Sequence, residues 1–191
     1  MALFRLTRYG RREWLGGTAV AAAGCGALAV TAWFMSPLCL LPAAGIVLLW
    51  LWVLWFFRDP DRAIPAEEGV FLSPADGVVT DVTAIGPDDE LGTDGVKVGV
   101  FMSVFSVHVN RAPCDGRVDS IEHRSGAFLD ARKRDAGLRN ESATIRLAHG
   151  RGDRSHTIVI RQVAGLIARR IITDLTEGQN VRRGQRIGMI K

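Results

Sequence analysis

Residues 14–57 read WLGGTAVAAAGCGALAVTAWFMSPLCLLPAAGIVLLWLWVLWFF, and none of these 44 side chains carries a charge. The run is too long for one core helix and suits two bilayer crossings of about 20 residues each. It divides at Ser36-Pro37. Residues 14–34 form one span, rich in Ala and Gly, and residues 38–57 form a second, rich in Leu and Trp. Pro42 falls in the first turn of the second span, where a missing N–H costs little. Trp50, Trp52 and Trp55 gather near its end, as in an interfacial aromatic belt. A tight turn between the spans gives a helical hairpin. Arg5, Arg8, Arg11 and Arg12 precede it, and Arg58 and Arg62 follow it. The positive-inside rule then puts both ends, and everything after them, on the cytoplasmic side of the membrane. The organisation expected is a basic N-terminus (1–13), a transmembrane hairpin (14–57), a linker (58–68) and a β-rich cytoplasmic domain (69–191).

An export signal is the competing reading of the same stretch. Arg11-Arg12-Glu13-Trp14-Leu15 has the look of a twin-arginine signal, and Ala23-Gly24-Cys25 that of a weak lipoprotein cleavage site. The second span argues against it, because a cleaved signal needs only one. So does Ala22, which stands where Leu is expected.

The whole-chain averages conceal this division. The chain has 191 residues, 48% of them hydrophobic, and a net charge of +4. Residues 1–57 hold four arginines against Glu13, whereas residues 58–191 hold 20 basic and 19 acidic side chains. The excess basicity is therefore juxtamembrane. With aromatics sparse after Phe57, no nucleic-acid partner is expected. The three cysteines, Cys25, Cys39 and Cys114, build neither a disulfide framework nor a zinc spacing.

Residues 58–68 (RDPDRAIPAEE) are a Pro-rich, charged exit from the apolar run. Short runs rich in Val, Ile and Thr follow at 70–72, 78–85, 96–103, 107–110, 117–123, 142–148, 157–163 and 186–190. Several alternate with period two, the pattern of a half-buried strand. Turn signals separate them at 74–77 (PADG), 86–89 (GPDD), Asp94-Gly95 and Cys114-Asp115-Gly116, with a further charged turn at 150–154. Residues 126–138 read either as a helical turn or two or as a loop. Many short strands at this spacing predict a mainly β barrel or sandwich. Residues 177–188 (EGQNVRRGQRIG) resemble barrel-sandwich domains such as biotinyl and lipoyl carriers, with glycines making the turns and Val181 and Ile187 plugging the core; residues 73–79 resemble the matching half. That likeness concerns the fold and says little of chemistry.

The residues able to do chemistry are few. In Val107-His108-Val109-Asn110-Arg111 the valines share one strand face, and His108 and Asn110 the other. With the valines in the core, His108 faces a cleft beside an amide and a guanidinium; the plainer reading is a surface histidine on a half-buried strand. His123, His149 and His156 read as ordinary surface residues. Asp76 either hydrogen-bonds its own turn or is a carboxylate that orients an imidazole. A base with an orienting group needs a nucleophile or an electron sink. Cys114 has no evident activator, Ser103 and Ser106 lie in no nucleophile elbow, and neither a phosphate loop nor metal-ligand spacing is present.

The ordered series of motifs is more specific. Residues 56–62 (FFRDPDR) after the hairpin, 73–77 (SPADG), 107–113 (VHVNRAP), 126–128 (GAF) with Asn140-Glu141, 162–171 (QVAGLIARRI) and 184–188 (GQRIG) together resemble the short bacterial form of phosphatidylserine decarboxylase. The resemblance covers nearly the whole chain. In that family a proenzyme cuts itself before a serine lying a few residues past the segment that matches 188–191. The serine becomes a pyruvoyl group heading a small α chain, and the larger β chain keeps the membrane segment. The resemblance implies that this chain is the β chain, or a proenzyme cut short of the Gly-Ser site, and that it is inactive alone. It implies pyruvoyl-dependent decarboxylation of phosphatidylserine to phosphatidylethanolamine on an anionic phospholipid membrane, in a heterodimer with the α chain. The pyruvoyl carbonyl takes up the serine amine and serves as the electron sink. His108 is then the acid that reprotonates Cα, and Asp76 orients it. Arg111, Asn110, Gln162 and Phe128 fall to substrate binding. Longer family members carry a second histidine three residues after the first; here that position is Arg111, whose donor fork suits an anionic headgroup. A carrier or adaptor module is the alternative. It would need a Lys in an exposed hairpin turn, and Lys97, Lys133 and Lys191 lie in no such context.

Overall fold

The computed structural model describes residues 5–67, 69–87, 91–133, 135–150 and 156–191. Glu68 of the linker, residues 88–89 and 151–154 of two expected turns, and Arg134 of the 126–138 segment lie outside the described residues. The chain separates into two units, Met1–Asp61 and Arg62–Lys191.

The first unit is the hairpin. Helix α1 spans Arg11–Phe34 and α2 spans Leu41–Phe56, with a 3-10 turn at Pro37–Leu40 between them. Ser36 caps that turn by accepting from the Leu38 N–H, and Pro42 sits at the start of α2, where no backbone donor is needed. Arg8–Phe34 and Pro37–Phe56 are each long and apolar enough to cross a membrane. Their apolar side chains face all directions instead of forming one stripe, as suits a helix solvated by lipid. Small residues let the helices approach: Gly17 faces Val53, and Gly24 faces Ile46. One polar tie crosses the pair, the Trp50 indole N–H donating to Thr18 Oγ1 at 3.0 Å. Thr18 in turn donates to the Trp14 carbonyl at 2.7 Å. At the base the Thr7 N–H donates to Phe57 O at 2.9 Å and the Asp59 N–H to Arg5 O at 2.5 Å, so the chain entering the hairpin is bonded to the chain leaving it.

The second unit is antiparallel β. Its strands are β1 (Val78–Ile85), β2 (Gly95–Phe101), β3 (Val109–Arg111), β4 (Gly116–Arg124), β5 (Ser142–His149), β6 (His156–Val163), β7 (Ile171–Thr173), β8 (Asn180–Val181) and β9 (Arg186–Ile190), with one helical turn, α3, at Ala136–Arg139. They form three sheets: β1-β2, β3-β9-β7 and β6-β5-β4-β8. The main core gathers Val118, Ile145, Leu147, Ile160, Val181 and Ile187. Each such side chain contributes about 1.5–3 kcal/mol by leaving water. Val181 and Ile187 are thus the plugs that the C-terminal pattern predicts. Gly178 and Gly184 take the left-handed turns, at φ +82° and +77°.

The β unit departs from the sequence expectation in three respects. Residues 70–72 are extended but join no sheet; the Leu72 N–H bonds Pro113 O, and the Arg183 guanidinium gathers the carbonyls of Pro65, Glu67 and Val70. Strands β7 and β8 carry too few residues to show a period. The β1-β2 ribbon leaves Val79, Val82, Val96 and Val98 exposed, although its alternation reads as half-buried.

Candidate functional site

Strand β3 and the two residues before it form the centre of the second unit's polar interior. Alternation predicts one buried and one open face, yet Val107, His108, Val109 and Asn110 are all buried, His108 and Asn110 with 3% exposure each. Both edges of the strand are occupied. On one side β9 pairs with it, Val109 opposite Met189 and Asn110 opposite Gly188, and the Ile190 N–H donates to His108 O at 3.2 Å. On the other, the Pro74 carbonyl accepts from the Arg111 N–H at 2.9 Å and from Asn110 Nδ2 at 3.3 Å. The turn at 73–77 therefore lies along the strand that carries His108, and the surface-histidine reading is excluded.

Burial gives His108 a defined proton arrangement. Its Nδ1 lies 3.0 Å from Ser106 O. A carbonyl only accepts, so Nδ1 carries hydrogen, and proton exchange falls to Nε2. The Ser106 carbonyl is itself held in a tight turn. The Ser106 N–H donates to Ser103 O at 2.9 Å, Ser106 Oγ accepts from the Ser103 N–H at 3.1 Å, and the two hydroxyls meet at 3.3 Å. These serines position the imidazole's support. A turn carbonyl leaves no mark in a residue pattern, which is why sequence reasoning misses it.

Gln162, on β6, completes the cluster. Its Nε2 donates to Asn110 Oδ1 at 2.7 Å, and Asn110 passes the chain of amides on to Pro74 O. Gln162 is also 3% exposed, and its Oε1 is buried with no hydrogen-bond partner. An orphaned buried acceptor costs about 1–3 kcal/mol. It marks a place where a donor belongs.

The other expected site residues have partners of their own. The Asp76 carboxylate pairs with the Arg62 guanidinium, both partly exposed. Arg111 Nη1 donates to Gly184 O at 3.1 Å. Phe128 lies on the loop before α3, with the Arg169 guanidinium 5.8 Å from its ring centre. Nearby, hydrogen bonds from Arg132 hold the exposed Asp130 carboxyl down at about 2. Cys114 borders a cavity of about 180 Å³ lined also by Phe71, Asp115, His149 and Arg183. Burial, and secondarily the charge of Asp115, push its thiol up to about 11, so it is no nucleophile near neutral pH.

The arrangement offers a buried histidine with hydrogen on Nδ1, two buried amides and one unfilled acceptor. Comparison with known proteins gives it a context. The family model described as phosphatidylserine decarboxylase matches residues 49–191. The phosphatidylserine decarboxylase proenzyme of Paramagnetospirillum magneticum is 47% identical over 147 residues, 75% of this chain and 60% of that protein. The proenzyme of the same name from Cereibacter sphaeroides is 47% identical over 150 residues, 76% of this chain and 62% of that protein. That from Rickettsia akari is 38% identical over 143 residues, 73% of this chain and 61% of that protein. The chain thus spans about three fifths of the length of these curated relatives. The matched region contains the whole β unit and its buried His108 cluster, and the chain belongs to the phosphatidylserine decarboxylase family.

Proposed function

We propose that this chain is the β subunit of a phosphatidylserine decarboxylase, supplying the membrane anchor and the proton-transfer histidine to a pyruvoyl-bearing α chain. The product is phosphatidylethanolamine. The observation that carries the reading is the buried cluster of His108, Asn110 and Gln162, with Nδ1 of the histidine fixed and one acceptor unfilled. These residues fit the group. Gln162 Oε1 needs an N–H donor, and the amine of a phosphoserine headgroup brings one. The family's pyruvoyl serine follows the segment matching Gly188–Lys191, and β9 runs beside His108.

A pyruvoyl group, which the α chain would carry, would supply an electron-accepting carbonyl for the decarboxylation. His108 Nε2 then delivers a proton to the serine Cα. Gln162 and Asn110 orient the headgroup amine. Arg111 contacts the headgroup's phosphate, to which a guanidinium fork is suited, while the Gly184 carbonyl steadies it. Phe128 borders the acyl-chain entrance. Asp76 acts as the orienting carboxylate of the self-cleavage step, exchanging Arg62 for the imidazole.

The same reading assigns the larger plan. Residues 1–13 are the basic N-terminus, 14–57 the transmembrane hairpin, 58–68 a linker and 69–191 the catalytic domain, with a barrel-sandwich, lipoyl-like architecture. The catalytic domain works on the cytoplasmic face of an inner membrane, where anionic lipid attracts the flanking arginines. The substrate's acyl chains stay in the bilayer while its headgroup is processed at the surface.

The test is release of carbon dioxide from carboxyl-labelled phosphatidylserine by the chain expressed together with the family's α segment. Activity is expected, and His108→Ala lowers it about 10²–10⁴-fold even where the partner is fully processed. A normal rate in that variant removes the histidine's role, and no release from the intact pair overturns the assignment.

A further inference from the structure

The structure exposes a further group of large apolar side chains outside the helices. Between β6 and β7 the chain reverses in a tight turn closed by the Gly165 N–H donating to Ala168 O at 2.8 Å. The residues at its tip are Leu166 and Ile167, 52% and 60% exposed. Tight turns are normally occupied by Gly, Asn, Asp or Pro, which their geometry and solvent both favour. Two large aliphatic side chains at such a tip are held in water by no packing. Phe128, also exposed, stands on the neighbouring loop.

Both loops are presented rigidly. Asn140 is fully buried and bridges them, its Nδ2 donating to Leu129 O at 2.9 Å and to Ala164 O at 2.8 Å while its Oδ1 accepts from the Leu129 N–H. Charge completes the surface. Arg169 and Arg170 follow the tip directly and are exposed, and Arg169 Nε donates back to Leu166 O at 2.7 Å. Residues 124–141 and 161–170 together carry eight basic and three acidic side chains. An apolar tip ringed by arginines is the composition of a segment that enters the headgroup region of an anionic bilayer, its aliphatic groups among the upper acyl carbons and its guanidinium groups at the phosphates.

We propose that the 165–170 turn, with Phe128 beside it, is a membrane-inserting loop that docks the β unit on anionic phospholipid independently of the helical hairpin. The proposal does not rest on the decarboxylase reading, because a chain that turned over nothing would still dock. Binding is electrostatic as well as apolar, so replacing either arginine weakens the loop's attachment about fivefold.

The test uses the full chain in lipid nanodiscs, with Cys25 and Cys39 replaced by Ala and an environment-sensitive fluorophore on Ile167→Cys. A matching label on Val98→Cys, at an exposed position of β2, serves as reference. With phosphatidylglycerol present, nitroxide-bearing lipid is expected to quench the label at 167 and not the one at 98. The quenching falls in Arg169→Gln and Arg170→Gln chains and in discs of phosphatidylcholine alone. A label at 167 as open to aqueous iodide as the one at 98 in anionic discs overturns the proposal. A label shielded from both iodide and nitroxide lipid also overturns it, assigning the tip to a contact with another protein copy.

Discussion

Burial and the Ser106 carbonyl together fix a hydrogen on His108 Nδ1. Alternation in 107–111 puts the histidine on one face with Asn110, and the residue pattern alone goes no further. Whether that face meets water depends on β9 and the 73–77 turn, which come from far along the chain and close both edges. Gln162 illustrates the same limit. Its place in the motif is legible in the sequence, but its unfilled Oε1 is a property of packing. Replacing it tests the amide chain: Gln162→Leu strands Asn110 Oδ1 and lowers stability by about 1–3 kcal/mol in thermal or denaturant unfolding. An unchanged midpoint would show that Asn110 finds another donor. Cys114 gives a pH test. Its thiol is raised from 9.0 to about 11 in the folded chain, so the neutral thiol's contribution to stability is complete below 9.0 and is lost as pH rises through about 11. Iodoacetamide near pH 8 is expected to spare Cys114 until the chain is denatured. Rapid alkylation of the native protein would contradict this placement.

At the scale of elements, the hairpin is the most legible part. An uncharged run of this length, broken by Ser36-Pro37, has few solutions in physical terms, and α1 and α2 form where it predicts. What composition does not reveal is the Trp50–Thr18 hydrogen bond that ties the two helices. Thr18→Val is expected to loosen the hairpin by about 0.6 kcal/mol, typical of one interhelical hydrogen bond in lipid, and to lower its thermal midpoint in detergent. A midpoint at or above that of the parent chain would show that small-residue packing at Gly17 and Gly24 holds the pair unaided. The long strands of the β unit, β1, β4, β5, β6 and β9, follow the Val, Ile and Thr runs closely, because ladder partners lie within one or two turns of chain for most of them. Strands β7 and β8 were hidden by brevity. The exposure of Leu166 and Ile167 at the 165–168 turn is a property of the fold that the 162–171 motif does not state.

At the scale of the whole molecule, contacts divide the chain after Asp61, four residues past the end of the uncharged run at Phe57. An apolar unit ends at Asp61 and a nearly charge-balanced β unit begins at Arg62. The proposed proton transfer by His108 requires an electron sink, which the proposal places on a partner chain. The relatives are named proenzymes and are longer than the region this chain matches. The most direct test is the intact mass of every chain that purifies with this one from native membranes, read after treatment with a carbonyl-reactive hydrazide. The account predicts a small partner chain that gains the mass of the hydrazide, in a preparation that decarboxylates phosphatidylserine. A decarboxylating preparation in which no chain reacts with hydrazide would contradict it.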